Sequence, residues 1–100
     1  MPIYHIVLFR LKKGVTTSDI EGWSQVMKTI VGKIPGLLEV HTNPPLAATA
    51  SRAKGFDMGL VAILEKPEDV QVYMEHPVHL EVQAIRERLC EDTLAYDLEF

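Results

Sequence analysis

The sequence predicts an α+β fold in which four strands and two helical regions follow one another in the order βαββαβ. Three observations lead to this prediction. Residues 5–11, 55–64 and 93–100 are rich in strand-forming side chains that alternate between two faces, and residues 37–42 form a shorter segment of the same kind. Residues 18–34 carry apolar side chains at helical spacing instead. A second helical pattern separates the third and fourth strands.

Composition indicates one small globular domain. The 100 residues suffice for one hydrophobic core, and 47% of them are hydrophobic and 24% charged, as in ordinary soluble proteins. We therefore expect a single domain over residues 1–100. The apolar run near the N-terminus is far shorter than the roughly 20 residues that cross a bilayer. Its positive charges follow the run instead of preceding it, so neither a membrane span nor a signal sequence is expected.

Charge and cysteine content narrow the expected partners and location. The net charge is −4, and the basic residues are scattered along the chain and not interleaved with aromatic ones, so nucleic-acid binding is not expected. The one cysteine, Cys90, cannot form a disulfide within the chain, which makes a cytoplasmic location the default. Cys90 also has no evident activating neighbour in the sequence, and we predict an inert thiol.

The first helix has sequence signals at both ends. Ser18 and Glu21 have the spacing of a capping box, and Pro35–Gly36 is expected to stop the helix. The apolar stripe between these signals consists of Ile20, Trp23, Met27, Ile30 and Ile34.

Two irregular segments are predicted in the rest of the chain. Residues 43–54 contain two prolines and many small side chains, which is typical of a mobile loop. The second helical region begins at Pro67, whose missing N–H costs nothing in a first turn. It is expected to break at His76–Pro77, because a proline inside a helix removes a hydrogen bond and clashes with the preceding turn. A second helical segment then covers residues 78–89.

The order βαββαβ is that of the ferredoxin-like fold, a four-stranded antiparallel sheet with two helices on one face. The helices leave the other face of the sheet uncovered. The first and third predicted strands carry apolar side chains on both faces, so this second face also needs a cover, and a second copy of the chain can supply it. We expect a homodimer that forms through the open face of the sheet.

Three segments resemble a known family: HIVLFRLK at residues 5–12, KGFDMGLVAIL at residues 54–64 and YMEHPVH at residues 73–79. In this order they resemble the stress-responsive dimeric A/B barrel (Dabb) family. The resemblance implies that two ferredoxin-like subunits pack their sheets into a shared, dimeric α+β barrel. The family includes stress-associated proteins and plant polyketide cyclases of the olivetolic acid cyclase type. Those cyclases close a linear polyketide by intramolecular aldol condensation without a metal or an organic cofactor.

The resemblance also implies site residues. In the cyclases the tyrosine and the last histidine of Tyr-x-x-His-Pro-x-His are catalytic, and they fall on Tyr73 and His79. A histidine that lines the cavity of the cyclases matches His5, which implies a substrate-binding role. Residues 43–54 differ from the cyclase pattern. No cofactor and no metal are expected. A small apolar or polyketide-like ligand is expected.

The chemistry of the predicted pair suits a cyclase. A carbon between two carbonyls is acidic enough for a neutral imidazole to remove its proton, which is the role expected of His79. A phenol such as Tyr73 can stabilise the resulting enolate oxygen. The two residues are six positions apart and would diverge on one continuous helix, but the break at Pro77 allows both to face one cavity.

Structural roles are the alternatives for each candidate. His79 can bond to a backbone carbonyl or water, Tyr73 can be a packed aromatic residue, and His5 can be a core histidine with its hydrogen bonds satisfied. His76 is expected to cap a helix before the proline. His76 and His79 could both bind a metal, but the sequence places no third ligand beside them.

Three functions remain open from the sequence. The first is a cofactor-independent cyclase or lyase that acts on a poly-carbonyl compound, with His79 as base. The second is a stress-response or small-ligand-binding protein without enzymatic activity. The third is a cofactor-free monooxygenase or an isomerase that acts on small aromatic compounds.

Overall fold

A computed structural model describes residues 1–100 and contains the predicted elements in the predicted order. They are β1 (Ile3–Leu11), α1 (Thr17–Lys28), β2 (Leu37–Asn43), a 3-10 helix (Ala47–Ala53), β3 (Met58–Leu64), α2 (Glu68–Glu75), α3 (Pro77–Leu89) and β4 (Cys90–Glu99). The strands form one antiparallel sheet in the order β2-β3-β1-β4. The ferredoxin-like prediction is therefore confirmed.

The alternation predicted along the strands is present in the sheet, and the helices cover one of its two faces. In β3, Met58, Leu60, Ala62 and Leu64 are all buried, whereas the residues between them are partly exposed. The buried face packs against the helices and against the turn after α1. The buried apolar residues from that side are Trp23, Met27, Ile30, Ile34, Tyr73 and Val82. Removing these side chains from water is the main force that holds the layers together.

Helix α1 begins and ends earlier than predicted. Its capping box is formed by Thr16 and Asp19 and not by Ser18 and Glu21: the Asp19 N–H donates to Thr16 Oγ1 at 3.1 Å, and the Thr16 N–H donates to the Asp19 carboxylate at 2.9 Å. Both pairs have the same spacing, but Thr16 has the extended backbone that a capping residue needs. The predicted helical continuation to Ile34 is also wrong, because Gly32 has a φ of +91° and a right-handed helix requires a negative φ.

Residues 43–54 are more regular than the mobile loop that the sequence predicts for them. Seven of them form the 3-10 helix, which ends where Lys54 takes a left-handed conformation. The Arg10 guanidinium donates to the Lys54 carbonyl at 2.9 Å and lies 4.8 Å from the centre of the Phe56 ring. This arginine therefore ties the segment to β1.

The predicted break in the second helical region is present. His76 has an extended backbone (ψ 135°), and α3 starts at Pro77, the position where proline fits a helix best. The Val78 N–H donates to His76 Nδ1 at 3.1 Å. The predicted capping role of His76 is confirmed.

The other face of the sheet is apolar and open. Side chains of β4 and the residue after it dominate this face: Leu94, Tyr96, Leu98 and Phe100 have between 41% and 60% of their surfaces exposed. Tyr4 of β1 stacks on the Phe100 ring with a centroid distance of 4.0 Å. No helix of the chain has the length and apolar character to cross a membrane.

The turn into β2 depends on the absence of a side chain at Gly36. This residue has a φ of +82°, and a Cβ atom there would overlap the buried carboxyl group of Asp69. Asp69 belongs to the first turn of α2. Gly36 therefore lets the start of α2 approach the start of β2.

Substituting Gly36→Ala should destabilise the fold more than Gly14→Ala. Both glycines have a positive φ, which costs alanine about 1 to 2 kcal/mol. Only Gly36 faces a second penalty, since a Cβ at Gly14 meets open space. We expect an additional cost of about 1 to 3 kcal/mol for the overlap. Urea unfolding followed by Trp23 fluorescence would measure the difference, and equal losses in the two variants would contradict this account.

Candidate active site

A cavity of about 200 Å³ lies between the sheet and the helices. Fourteen residues line it, and nine of them are hydrophobic. The three residues singled out from the sequence, His5, Tyr73 and His79, are all among them. The cavity therefore collects side chains from β1, α2 and α3 at one place.

The helix break brings Tyr73 and His79 together. Tyr73 lies in the last turns of α2 and His79 in the first turn of α3, and their ring centres are 4.3 Å apart. His5 also meets the tyrosine ring, in an edge-on contact with a centroid distance of 5.3 Å. The three rings form one cluster, in which Tyr73 is the shared member.

His79 is held in one tautomer. Its Nδ1 donates to the Met74 carbonyl at 3.2 Å, because a carbonyl can only accept. In the neutral ring the other nitrogen, Nε2, then carries a lone pair. Burial lowers the pKa of His79 from its ordinary value of 6.5, the hydrogen bond to Met74 partly offsets this, and the nearby His5 and Arg86 lower it further. His79 is thus a neutral base at physiological pH.

Tyr73 is held in the protonated form. Only 1% of its surface is exposed, and burial raises the pKa of its hydroxyl to about 12, with a smaller opposing effect from Arg86. None of the side-chain hydrogen bonds within the chain involves this hydroxyl, whereas both neighbouring histidines have partners. The phenol is therefore a free donor beside the base.

His5 is oriented by a carboxylate that the sequence analysis did not single out. Its Nδ1 donates to Asp97 Oδ1, and the two residues are direct partners in the β1–β4 pairing. His5 is buried, while the Asp97 side chain is 44% exposed at the sheet edge. The alternation along β4 places Asp97 on the cavity side, but only the strand register shows that it lies opposite His5.

Arg86 is a second residue that sequence reasoning missed. It lines the cavity, and its guanidinium lies 5.2 Å from the centre of the Phe9 ring. His79, Val82 and Arg86 are spaced three and four residues apart in α3 and therefore share one helix face. This spacing was a usable signal, but the apolar stripe that the sequence predicts for this helix is Val78, Val82, Ile85 and Leu89 and leaves Arg86 out.

The other two histidines and the cysteine lie outside the cluster. His41 is exposed on β2, and His76 is occupied as the cap of α3. Cys90 does not line this cavity, and burial raises the pKa of its thiol, which agrees with the predicted inert role. No group of three or more His, Cys, Asp or Glu side chains is placed to hold a metal ion.

Fold and cavity define a ferredoxin-like α+β protein with a cluster of titratable rings between helices and sheet. The chain matches the model of the stress-responsive A/B barrel domain family (Dabb) over residues 3–100, and it belongs to this family. Among curated proteins, none matches the sequence significantly.

Solved structures show the same fold. A dimeric ferredoxin-like protein from Thermobifida fusca is 27% identical with a TM-score of 0.85, and the match covers 100% of this chain and 92% of that one. An Arabidopsis thaliana protein is 22% identical with a TM-score of 0.88, over 98% of this chain and 94% of that one. The hydroxynitrile lyase from Passiflora edulis is 20% identical with a TM-score of 0.85, over 97% of this chain and 91% of that one.

The titration of His79 tests the electrostatics of the cavity. We expect its pKa to lie below 6.5 and to rise in Arg86→Met, because that substitution removes a nearby positive charge. Arg88→Met, which changes an exposed arginine of the same helix, should leave it unchanged. NMR of the imidazole Cε1–H signals would measure the three values. A pKa above 6.5 in the wild type would contradict the assignment of burial as the main cause.

The lowered pKa of His79 also affects how the stability of the fold depends on pH. Because the folded pKa of His79 is below the unfolded one, the folded protein binds fewer protons between the two values. The stability associated with neutral His79 is present above pH 6.5 and is lost as the pH falls through the folded pKa. Wild-type protein should therefore lose more stability than His79→Gln when the pH falls from about 7 to 5.

Proposed function

We propose that this protein is a cofactor-independent enzyme that removes a proton from a carbon flanked by carbonyls and so closes a poly-carbonyl chain by an aldol-type step. The observation that carries the proposal is the pair formed by a neutral histidine with a free Nε2 and a protonated tyrosine with a free hydroxyl, side by side in a mostly apolar cavity. One group can accept a proton while the other stabilises negative charge.

The proposed reaction needs only these two side chains and the substrate. His79 Nε2 takes the proton, and the electron pair of the broken C–H bond becomes an enolate. The Tyr73 hydroxyl donates a hydrogen bond to the enolate oxygen. The enolate carbon then bonds to a second carbonyl carbon of the same molecule, and the alkoxide formed there takes the proton back from His79. Protons and electrons balance without an oxidant or reductant.

Positioning supplies the other part of the proposed catalysis. A general base contributes about 10²- to 10⁴-fold, so the cavity must also hold a flexible chain with its reacting carbons close together. Buried apolar residues such as Phe9, Met27 and Leu60 form the wall that can do this. The same fold occurs in the hydroxynitrile lyase of Passiflora edulis, so a lyase is among the proteins that use this fold.

Exchange of the acidic C–H into D2O is the most direct assay. With methyl 3-oxo-3-phenylpropanoate as probe, the wild-type protein should accelerate loss of the C2 proton signal over buffer. His79→Gln should reduce the accelerated rate about 10²- to 10⁴-fold and Tyr73→Phe about 10²-fold or more. His41→Gln, outside the cavity, is the matched control. Absence of acceleration by the wild type, or full activity of His79→Gln, would contradict the proposal.

Ligand binding without catalysis is the second candidate function. It is favoured by the predominance of apolar lining residues and by the structural hydrogen bonds that both cavity histidines make. In that case His79→Gln should leave the cellular role intact, and no C–H exchange should be detected.

We also propose that the protein works as a homodimer. The outer face of the sheet carries a continuous row of exposed apolar side chains on β4, and adjacent β1 adds Tyr4, stacked on Phe100. A face of this kind is costly to leave in water, and a second sheet of the same kind covers it in a self-complementary way. A similar structure from Thermobifida fusca is a dimeric ferredoxin-like protein.

Sedimentation equilibrium would test the dimer. The chain has a mass of 11.3 kDa, so the wild type should sediment with about twice that mass. Tyr96→Lys, at the centre of the row on β4, should shift the protein to monomer because it places a charge in the apolar contact. Leu80→Lys is the control, since Leu80 is 50% exposed, close to the 60% of Tyr96, but lies on α3. A monomeric wild type, or the same shift in both variants, would contradict this assignment.

A further inference from the structure

Arg86 is a charged residue in the cavity wall without a counter-ion. The three ion pairs of the structure join His5 to Asp97, Arg10 to Asp92 and His41 to Glu39. None involves Arg86. Its sequence neighbour Glu87 instead accepts a hydrogen bond from Gln83 at 2.9 Å.

The guanidinium of Arg86 is held at the cavity and not free in solvent. The residue is half-buried and lies over the ring of Phe9, which is itself 2% exposed. Attraction to the face of an aromatic ring keeps a guanidinium beside Phe9, and the N–H donors of Arg86 have no hydrogen-bond partner in the chain. A partly desolvated cation with unused donors favours an anionic partner.

A second donor in the same wall is also unpaired. Trp23 is 3% exposed, lines the cavity, and its indole N–H is buried without a hydrogen-bond partner. An indole N–H can only donate, and buried donors of this kind are normally paired. The cavity wall contains no aspartate or glutamate that could serve either donor.

We propose that the ligand of this cavity carries a carboxylate, which binds to Arg86 with Trp23 as an additional donor. This inference rests on the proposed function for the reacting end of the substrate and specifies the class further: a keto acid binds more tightly than the corresponding neutral ester. The donors Arg86 and Trp23 hold the acid group, and the His79–Tyr73 pair meets the carbonyl portion. Arg86 is a specificity-determining residue in this arrangement.

Binding of an anion there has a consequence for the base. The positive charge of Arg86 is one of the influences that lower the pKa of His79. A carboxylate on Arg86 neutralises that influence and so makes His79 a stronger base when the substrate is bound. An acid ligand therefore contributes to its own activation.

Binding of 2-naphthoate and 2-naphthamide to the full-length protein tests the inference. The two probes have nearly the same shape and differ in charge. We expect wild-type protein to bind the naphthoate at least about tenfold more tightly in calorimetry, the size of one charge-assisted hydrogen bond. The NMR signal of the Trp23 indole N–H should shift on addition of the naphthoate.

Variants separate the arginine from general charge effects. Arg86→Met should remove the preference for the naphthoate and keep the affinity for the naphthamide within about twofold, which also shows that the variant is folded. Arg86→Lys should retain part of the preference, and Arg88→Met all of it. Equal affinity of the wild type for both probes, binding of neither, or equal effects of Arg86→Met and Arg88→Met would overturn the inference.

The inference and the proposed function can fail separately. If the wild type prefers the naphthoate through Arg86 but accelerates no C–H exchange, the anion site stands and the proposed enzyme activity falls. If exchange is accelerated while the two naphthalene probes bind equally, the activity stands and the carboxylate site falls.

Discussion

The candidate site depends on the interruption of one helix at Pro77. Proline has no N–H to donate and disfavours a helical backbone in the residue before it, so His76 is extended and α3 starts afresh. His76 then accepts the Val78 N–H and stabilises the new helix start. The change of direction puts Tyr73 and His79 in contact, although six positions on one straight helix would separate them. Backbone chemistry at one position thus creates the geometry on which the proposed catalysis relies.

The two faces of the sheet have different consequences. The inner face is covered by the helices. The cavity lies on this side, where the rings from β1, α2 and α3 meet without filling the space. The outer face is apolar and uncovered within one chain. Strands with an apolar environment on both faces need apolar side chains on both. This explains why β1 and β3 do not alternate between apolar and polar side chains as the strands of a sheet with one solvent-facing side do. In a dimer the outer faces would support the strands that carry His5 and Asp97.

Low hydration in the cavity sets the protonation states of the cluster. Burial keeps a proton on the tyrosine, with a pKa of about 12, and keeps the imidazole of His79 neutral. Burial therefore gives the two groups opposite roles: the tyrosine hydroxyl can donate a hydrogen bond, and the imidazole can accept a proton. Arg86 is the charged side chain of this wall, and no carboxylate of the chain pairs with it. The cavity therefore has a neutral base, a phenol that keeps its proton and a cationic side chain in its wall.

Much of the fold followed from sequence alone. Alternation along β1 and β3 identified which residues share a face, because side-chain direction in a strand has a strict period of two, but both faces are mostly apolar and only the structure shows which one the helices cover. The break at His76–Pro77 was predictable because it results from local backbone chemistry. The ends of the helices were harder to predict. Thr16 and Ser18 both have an acidic residue three positions later and compete for the cap of α1, and only the backbone conformation of Thr16 decides between them.

The site was predictable only in part. The motif that contains Tyr73 and His79 could be recognised, and so could His5, because each lies in a segment with a family resemblance. Tertiary structure alone decided that Asp97 orients His5, that Met74 fixes the tautomer of His79 and that Arg86 has no counter-ion. The reason is physical: backbone propensities and side-chain periodicity act over a few residues. Partnership between polar groups depends on strand register and packing between positions as distant as His5 and Asp97.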